Sequence, residues 1–487
     1  MTQQQLEKYL WGAATYLRGH IDAGDYKQYI FPLLFFKRIS DVWDEEYEQA
    51  VKESSGDLDY ASFAENHRFQ ITEGAHWNDV RQVTRNVGQA LQKAMRAIEK
   101  ANQDQLYGIF GDANWGNKDR LSDETLVNLV EHFSRHKLDL KHVPQDELGN
   151  AYEYLIKQFA DDSGHTAAEF YTNRTVVRLM TLIADPQPGE TVYDPTCGSG
   201  GLLLNAALQL KTAGKEYRTL KLYGQEINLI TSSIARMNMF LHGIEDFAIV
   251  RGNTLSNPGF LNDDELQTFN IILANPPYSI KAWDQKAWAN DPWGRNLWGT
   301  PPQGTADYAF QQHIHKCLDV QNGRCVVLWP HGILFRDAEM EMRKKMIAAD
   351  VVDCVIGLGP NLFYNSPMES CLLICRTNKP KARKGKILFI NAVDEIRNEK
   401  SISFLDEKHI QKIYKAYKSY SSDGDFCKVV AVDEVMKNDG NLAIALYISK
   451  SIIEKDKENL ETLFQEWLDS SSELKQSIKR LIANLKA

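Results

Sequence analysis

The sequence predicts an α/β fold: a mostly parallel sheet with helices on both faces, preceded by a helical domain and followed by a helical tail. From about Asn150 onward, short apolar runs alternate with helical patterns, which is typical of parallel strands joined by crossover helices. Before that point, Leu10, Ala14 and Leu17 recur at helical spacing. The chain has 487 residues and 43% hydrophobic content, so more than one domain and a large core are expected.

Three regions follow from this pattern. They are a helical N-terminal domain over residues 1–149, an α/β domain over residues 150–395, and a helical C-terminal region over residues 396–487. The candidate strands of the middle region are Thr191–Asp194, Lys221–Gly224, Ala248–Arg251, Asn270–Leu273, Arg324–Trp329, Val352–Gly357 and Cys371–Arg376. In such sheets, ligands bind at the carboxyl ends of the strands.

Two apolar stripes at helical spacing mark the C-terminal region. One contains Leu460, Leu463, Phe464, Trp467 and Leu468, and the other contains Leu474, Ile478, Leu481, Ile482 and Leu485. Such stripes must pack on something. The pattern fits two interpretations. The stripes could form a helix hairpin that folds on its own domain, or they could form a helical bundle with a partner chain.

Cysteine and histidine usage gives no sign of a metal site. The seven cysteines form an odd number, and Cys371 and Cys375 have no second pair nearby, so we expect reduced thiols in a cytoplasmic protein. His132, His136 and His142 lack thiol partners at ligand spacing. No apolar run reaches the roughly 18 residues that span a bilayer, and no contact with a membrane is expected.

The first candidate binding motif is a glycine-rich turn after the first predicted strand. Asp194 is followed by Gly198-Ser199-Gly200-Gly201 and then by a helical run. Glycines let the backbone approach a ligand closely, and the helix N-terminus favours negative charge such as a carboxylate. The spacing is neither Gly-x-Gly-x-x-Gly nor a Gly-Lys-Ser/Thr loop, so nucleotide phosphates are not indicated. Glu226, at the end of the second strand, suits ribose hydroxyls.

The most informative motif is Asn275-Pro276-Pro277-Tyr278, directly after the mostly apolar run from Phe269 to Ala274. It combines a side-chain amide oxygen, a proline carbonyl and a flat ring on a backbone whose φ angles are fixed by Pro276 and Pro277. These groups suit the capture of a planar amino group. A rigid loop after a core strand is the alternative.

Taken together, these motifs resemble S-adenosylmethionine-dependent amino-methyltransferases. More narrowly, the chain resembles the modification (M) subunit of type I restriction-modification systems, an adenine-N6 DNA methyltransferase. Residues 10–41 resemble that family's helical N-terminal domain, and residues 169–174 resemble the motif that precedes its glycine turn. Asn173 departs from the family, which most often has proline there. Other familial stretches, which extend the resemblance over nearly the whole chain, begin at Ala235, Gly252, Asp307 and Pro330.

The resemblance implies a Rossmann-like S-adenosylmethionine-dependent methyltransferase core and a role for each motif. The Asn275 side-chain oxygen and the Pro276 carbonyl would accept the hydrogens of the adenine N6 amine, and Tyr278 would stack on a base flipped out of the duplex. The expected cofactor-binding residues are Glu169, Phe170, Tyr171, Thr172, Asn173, Arg174, Asp194, Gly198, Ser199, Gly200, Gly201, Glu226 and Asn253. The sulfonium methyl of S-adenosylmethionine is already activated, so no metal is expected.

The resemblance also implies partners. These are double-stranded DNA, a specificity (S) subunit that reads the DNA sequence, a second copy of the M subunit and, in the full complex, a restriction (R) subunit. A net charge of −9 agrees that other chains supply much of the grip on DNA. The resemblance favours a partner-chain bundle for the C-terminal stripes.

Two alternatives remain for the function. A protein-glutamine N5 methyltransferase has a similar site but lacks the large helical N-terminal domain and the tail. A catalytically silent assembly subunit is disfavoured by the intact Asn275 and Glu226 motifs.

One long stretch after Tyr278 has two readings of equal weight. Tryptophans at 283, 288, 293 and 298 alternate with Lys281, Lys286 and Arg295. Aromatic and cationic side chains beside a site can clamp a base and its backbone. The other reading is a loop that packs on its own tryptophans.

Overall fold

The computed structural model describes residues 1–162, 171–362, 368–399 and 402–448, together with residues 465, 467, 468 and 470. The predicted C-terminal stripes therefore lie outside the described residues, except for Trp467 and Leu468. These two are helical and exposed. Whether the stripes pack on a partner chain stays a prediction.

The N-terminal part is built from helices, as the sequence predicts. Their bounds are α1 Gln3–Gly12, α2 Ala14–Leu17, α3 Lys27–Glu53, α4 Leu58–Ala61, α5 Trp77–Arg81, α6 Val87–Ala101, α7 Gln103–Leu106, α8 Asp123–Ser134 and α9 Gln145–Asp162. Capping residues set several starts: the Thr2 hydroxyl accepts from the Gln5 backbone N–H, and Ser122 does the same for Thr125.

Helix α3 is the centre of this helical part. Its residues from Tyr29 to Val42 are all buried, which explains why their apolar pattern is less regular than that of an amphipathic helix. The stretch includes three charged residues, and each of them has a partner. Lys37 pairs with Asp41, and the Arg38 guanidinium donates to the carbonyls of Leu138, Asp139 and Val143.

The rest of the described chain forms the sheet and its covering elements. In chain order these are α10 Arg174–Ala184, β1 Thr191–Asp194, α11 Gly201–Thr212, β2 Lys221–Glu226, α12 Leu229–Leu241, β3 Phe247–Arg251, β4 Leu261–Asn262, β5 Glu265–Leu266, β6 Ile271–Ala274, α13 Gln285–Ala289, α14 Asp307–Lys316, β7 Arg324–Pro330, α15 Met340–Ala348, β8 Val352–Leu358, β9 Ser370–Arg376, β10 Lys386–Ala392, β11 Arg397–Glu399, β12 Ile402–Phe404, α16 Glu407–Ser419, β13 Cys427–Ala431 and α17 Val432–Lys437.

Nine strands make the main sheet, in the order β13-β10-β8-β9-β7-β6-β1-β2-β3. Strands β3, β2, β1, β6 and β7 are mutually parallel, and so are β8 and β10. Strand β9 lies antiparallel between β7 and β8, and β13 closes one edge antiparallel to β10. The predicted mostly parallel sheet is confirmed, and each of the seven predicted strands is present with small shifts in its bounds.

Both faces of the sheet are covered, as parallel strands require. Alternate residues of β7 show this: Val326 and Leu328 face a core shared with α10, α11 and α16, while Cys325, Val327 and Trp329 face a core shared with α14, α15 and α17. All seven cysteines are buried and unpaired.

Two strands of the main sheet, β10 and β13, were not predicted from the sequence. Strand β10 is an apolar run, Ile387 to Ile390, which can be read as a strand or as a buried helix segment. Strand β13 is a short edge strand in the region predicted to be helical, and it pairs with β10. Residues up to Ala431 thus complete the sheet, although the predicted division lies after residue 395. The exact domain boundaries stay a proposal.

The helical part and the sheet share one apolar core through α12. Phe240 of α12 lies 6.1 Å from the Phe35 ring and 5.3 Å from the Phe69 ring, centroid to centroid. The Tyr152 hydroxyl donates to the Ile234 carbonyl at 3.1 Å, and Arg236 donates to two carbonyls of the α7 region. The two parts are therefore packed directly on each other.

Phe35→Ala is expected to lower the free energy of unfolding by about 3–5 kcal/mol, because it leaves a cavity among several aromatic rings. Phe35 is 1% exposed. Urea denaturation followed by circular dichroism measures the change. Phe63→Ala is the control, since Phe63 is 54% exposed and the same deletion there should cost less than about 0.5 kcal/mol. Equal losses for the two variants would contradict the shared core.

Candidate active site

The predicted motifs meet at one edge of the sheet. Asp194 of β1 pairs in register with Gly224 of β2, and Glu226 of β2 pairs with Arg251 of β3. On the other side of β1, strand β6 ends at Ala274, just before the Asn-Pro-Pro-Tyr motif. The carboxyl ends of four neighbouring parallel strands thus bring the motifs together, as predicted.

The glycine turn has a conformation that side chains disfavour. Gly198 and Gly200 have φ angles of 54° and 80°, in the left-handed region that glycine adopts without strain. The Gly200 N–H donates to the Cys197 carbonyl at 2.8 Å, and the Cys197 N–H donates to the Gln225 carbonyl at 2.9 Å. Helix α11 then begins at Gly201, so its N-terminal N–H groups face this edge of the sheet.

Glu226 fastens the glycine turn to the second strand. One carboxylate oxygen accepts the Gly198 N–H at 3.1 Å, and the other accepts the Asn228 N–H at 2.8 Å. The residue is only 8% exposed, and burial raises its pKa, while the backbone N–H groups act in the opposite direction. Its lone pairs not used by these bonds can accept from hydroxyls of a ligand.

Asp194 is a buried carboxyl group at the end of β1. It is 1% exposed, and its Oδ1 accepts the Thr196 N–H at 3.0 Å. Burial raises its pKa to about 8, with a smaller contribution from nearby Glu226. A cationic group placed beside it would favour the ionised form and release the proton.

The Asn-Pro-Pro-Tyr motif is engaged internally. The Asn275 side-chain N–H donates to the Thr172 hydroxyl at 3.1 Å, and the Tyr278 hydroxyl donates to the Asn275 Oδ1. The Tyr278 ring is half-buried and lies 6.3 Å from the Trp329 ring. The Pro276 carbonyl accepts no hydrogen bond from the residues that the structure describes.

A narrow cleft joins these elements. Its walls include Asn275 and much of the glycine turn, so the amide of the first motif and the backbone of the second line the same space. The predicted residues on its walls are Thr172, Arg174, Asp194, Gly198, Ser199, Gly201 and Asn275, and Thr196, Cys197 and Leu202 complete it. Cys197 is 5% exposed and forms part of the turn.

The segment before α10 contributes to the cleft unevenly. Arg174 pairs with Glu153, and its guanidinium lies 4.8 Å from the Tyr171 ring centroid. The Asn173 side chain is used elsewhere: it caps α10 through the Thr175 N–H and donates to the Ser403 carbonyl. Any contact of Asn173 with a ligand is therefore left to its backbone. Glu169 and Phe170 lie outside the described residues.

Asn253 lies just beyond β3 and is exposed. Its side-chain oxygen accepts the Leu255 N–H at 3.0 Å, which forms an Asx-turn after the strand. Within the part of the chain that the structure describes, the side-chain N–H groups of Asn253 donate no hydrogen bond. The neighbouring Thr254 hydroxyl donates to the Pro195 carbonyl at 2.5 Å, which ties this turn to the glycine turn.

Several residues support the site without having been assigned a role from the sequence. Asn238 donates to the Ser199 carbonyl at 3.1 Å. Buried Asp307 accepts the Ser279 N–H at 2.9 Å and pairs with Arg336, which fixes the backbone after Tyr278. Ile227, directly after Glu226, is 61% exposed and offers an apolar surface. Except for Ile227, these residues lie in or next to the stretches that resemble the family. The resemblance therefore marked these positions, but it did not say what each residue does.

The tryptophan-rich stretch packs partly on itself and partly on the core beside α14. Trp288 and Trp298 are 2% and 6% exposed and belong to that core. The Trp283 and Trp288 ring centroids lie 6.2 Å apart, and the Trp298 ring lies 5.1 Å from the His315 ring of α14, centroid to centroid. Trp283 and Trp293 are only partly buried.

The described residues contain neither a cluster of metal ligands nor a helix that could cross a membrane. No group of three or more His, Cys, Asp or Glu side chains there is placed to hold a metal ion. None of the described helices combines the length and the apolar character that crossing a bilayer would need.

The sequence is similar to proteins of a known family over most of its length. The family described as N-6 DNA Methylase matches residues 143–456, and the HsdM N-terminal domain matches residues 6–133. The methylase subunit of the type I restriction enzyme MjaVIII from Methanocaldococcus jannaschii is 31% identical, over 94% of this chain and 82% of its own. The MpnII methylase subunit from Mycoplasma pneumoniae is 28% identical, over 99% and 96%.

A solved structure is similar over most of the chain. It is the type I restriction-modification system methyltransferase subunit from Streptococcus thermophilus, with a TM-score of 0.79 and 30% identity. The match covers 92% of this chain and all of the solved one.

Asp194→Asn is expected to flatten the pH dependence of stability. Because folding raises the Asp194 pKa from 3.8 to about 8, its contribution to stability is full below pH 3.8 and is lost as the pH rises through about 8. Relative to the variant, the wild-type free energy of unfolding should fall by at most about 1.4 kcal/mol per pH unit in this window. Urea melts across the window measure both slopes.

Asp104→Asn, at an exposed carboxyl group, is the control and should keep the wild-type slope. Parallel profiles for wild type and Asp194→Asn would show that Asp194 does not bind its proton more tightly in the folded state.

Proposed function

The chain belongs to the N-6 DNA methylase family and is the methylase (modification) subunit of a type I restriction-modification system, an adenine-N6 DNA methyltransferase, and we propose that Asn275 and the glycine turn form its catalytic centre. The observation that carries this assignment is the shared cleft: Asn275, Gly198 and Asp194 line one space at the carboxyl edge of the sheet. The amine acceptor and the methyl donor must meet within one pocket, and this cleft supplies residues for both.

The residues fit S-adenosylmethionine, the methyl donor of this family. Glu226 suits the ribose hydroxyls, and the turn Gly198 to Gly201 with the N-terminus of α11 suits the carboxylate. Asp194 suits the ammonium group, because a buried carboxyl pairs with a cation by releasing its proton. The exposed face of Ile227 suits the adenine ring, beside Asn253. When bound, the cofactor supplies a methyl group that is already activated on a sulfonium.

Asn275 and Pro276 activate the adenine amine in this proposal. The amine is conjugated with its ring, so its lone pair is a poor nucleophile. Two acceptors on its N–H groups, the Asn275 Oδ1 and the Pro276 carbonyl, favour a tetrahedral nitrogen and stabilise the positive charge that develops on it. Preorganised groups of this kind typically contribute about 3–4 kcal/mol each.

Tyr278 has two positions in this proposal. In the structure its hydroxyl bonds to the Asn275 Oδ1, which is the acceptor that the amine needs. A flipped base would take this place, and the ring of Tyr278 would turn out to stack on the base. The hydroxyl thus satisfies the catalytic oxygen while the pocket holds no base.

The partners follow from the family and the charge. We propose that a separate specificity subunit reads the DNA sequence, that a second M subunit lies beside it, and that cleavage belongs to a restriction subunit. The net charge of −9 supports a grip on double-stranded DNA that is shared with other chains. The helical C-terminal region, residues 396–487, with its two apolar stripes is the proposed contact with the specificity chain.

Asn275→Ala is expected to lower kcat for DNA methylation at least about a hundredfold, because it removes one preorganised acceptor. The Kd for S-adenosylmethionine should stay within about twofold. Transfer of labelled methyl groups to DNA, with the specificity chain present, measures the first quantity, and calorimetry measures the second. Asn257→Ala, an exposed asparagine on a neighbouring loop, should behave as wild type. A wild-type protein that transfers no methyl group would instead be a silent assembly subunit.

Tyr278→Phe should keep or raise kcat/KM for DNA, since the ring stays and the hydroxyl no longer competes for the Asn275 Oδ1. The gain is about fivefold if that hydrogen bond contributes about 1 kcal/mol. Tyr278→Ala should lower kcat/KM by about tenfold to a hundredfold, because stacking on the base is lost. If both variants lose activity equally, the hydroxyl acts in catalysis and the two-position model is wrong.

A further inference from the structure

One charged side chain near the site, that of Arg295, is almost completely buried. Arg295, in the stretch after the catalytic motif, has a side chain only 1% exposed and pairs with Asp291, whose side chain is 2% exposed. Its guanidinium lies over two aromatic rings, with its central carbon 4.7 Å from the Trp288 centroid and 4.8 Å from the Trp293 centroid. These two cation–π contacts help to hold the guanidinium in place.

The Arg295 guanidinium also donates hydrogen bonds to a segment outside its own loop. Its Nη1 donates to the Thr254 carbonyl at 2.8 Å, and its Nη2 donates to the Leu255 carbonyl at 2.7 Å. These two residues directly follow Asn253, in the turn that ends β3. Because the Thr254 hydroxyl also bonds to the Pro195 carbonyl, Arg295 is connected to the glycine turn through one residue.

Stability alone is a weak reason for such an arrangement. A buried ion pair commonly gains no more than well-packed apolar residues would, because both charges lose their hydration. What the guanidinium offers is geometry: a rigid fork that serves two carbonyls and a carboxylate at once. A lysine ammonium carries the same charge but cannot span these three acceptors in one plane.

We propose that Arg295 is a positioning residue for methyl transfer. It holds the loop that follows the Asn-Pro-Pro-Tyr motif against the Asn253 turn, so that the base pocket and the adenine side of the cofactor pocket keep a fixed distance. Trp288 and Trp293 of this loop then hold the Arg295 guanidinium in place. This inference rests on the proposed function, because it assigns Asn253 to the cofactor and Asn275 to the base.

Arg295→Lys in the full-length chain tests the proposal, and Arg324→Lys is a matched control. Arg324 is also buried, pairs with Glu190 and donates to two carbonyls, but it lies at the amino end of β7, on the opposite edge of the sheet. Both variants should lower the melting temperature. Only Arg295→Lys should raise the Kd for S-adenosylmethionine, by about tenfold, and lower kcat for DNA methylation, by about a hundredfold.

A purely structural role would move stability and leave the affinity of the folded protein unchanged. The proposal is overturned if Arg295→Lys binds S-adenosylmethionine within about twofold of wild type, or if Arg324→Lys loses affinity equally. If wild type itself fails to bind S-adenosylmethionine, the proposed function falls as well, which separates the two failures.

Hydrogen exchange of the wild-type protein provides a test that needs no variant. S-adenosylmethionine should slow exchange of backbone amides in residues 285–298, because the cofactor stiffens the turn that Arg295 joins to this loop. A loop whose exchange is unchanged by the cofactor, while the glycine turn becomes protected, would overturn the coupling even if Arg295→Lys does not fold.

Discussion

The hydrogen bond from the Gly198 N–H to the Glu226 carboxylate is the constraint on which the site depends. It joins the turn after β1 to the end of β2, and the same carboxylate holds the start of α12 through the Asn228 N–H. A buried carboxylate is stable only with such partners. The partners of the Glu226 carboxylate are backbone N–H groups. The geometry of the turn therefore depends on the register of β1 and β2 much more than on the rotamers of side chains.

The catalytic corner satisfies its own polar groups in a different way. The Asn275 amide has a donor partner in Tyr278 and an acceptor partner in Thr172, so neither end is left unpaired in a half-buried position. An unpaired buried amide would cost about 1–3 kcal/mol. A base that replaces the Tyr278 hydroxyl therefore exchanges one hydrogen bond for another. In the proposed mechanism, the net affinity for the base then comes from stacking on Tyr278 and from the Pro276 carbonyl.

Sequence reasoning found the sheet and the site because both have local signals. Strands such as Ile271–Ala274 are apolar runs that end in residues with unusual backbone or chemistry. It missed β13 because a half-exposed edge strand of five residues has a weak pattern. It did not foresee that the Asn173 side chain would donate to the Ser403 carbonyl, or which acceptors Arg295 would find, because those partners are distant in sequence. Contacts of this kind depend on the tertiary fold, which no local pattern encodes.

Helix α12 shows why the helical domain is more than an attachment to the methyltransferase core. Near its start, the Asn228 N–H bonds to Glu226, and farther along Asn238 bonds to the Ser199 carbonyl. Its opposite side carries Phe240 into the core of the helical domain, against Phe35. Helices transmit displacements because their backbone bonds keep them rigid, so a shift of the helical domain would move the glycine turn. A partner chain that grips the helical domain would therefore act on the proposed cofactor site through α12, and also through α9, whose Glu153 pairs with Arg174 of the cleft.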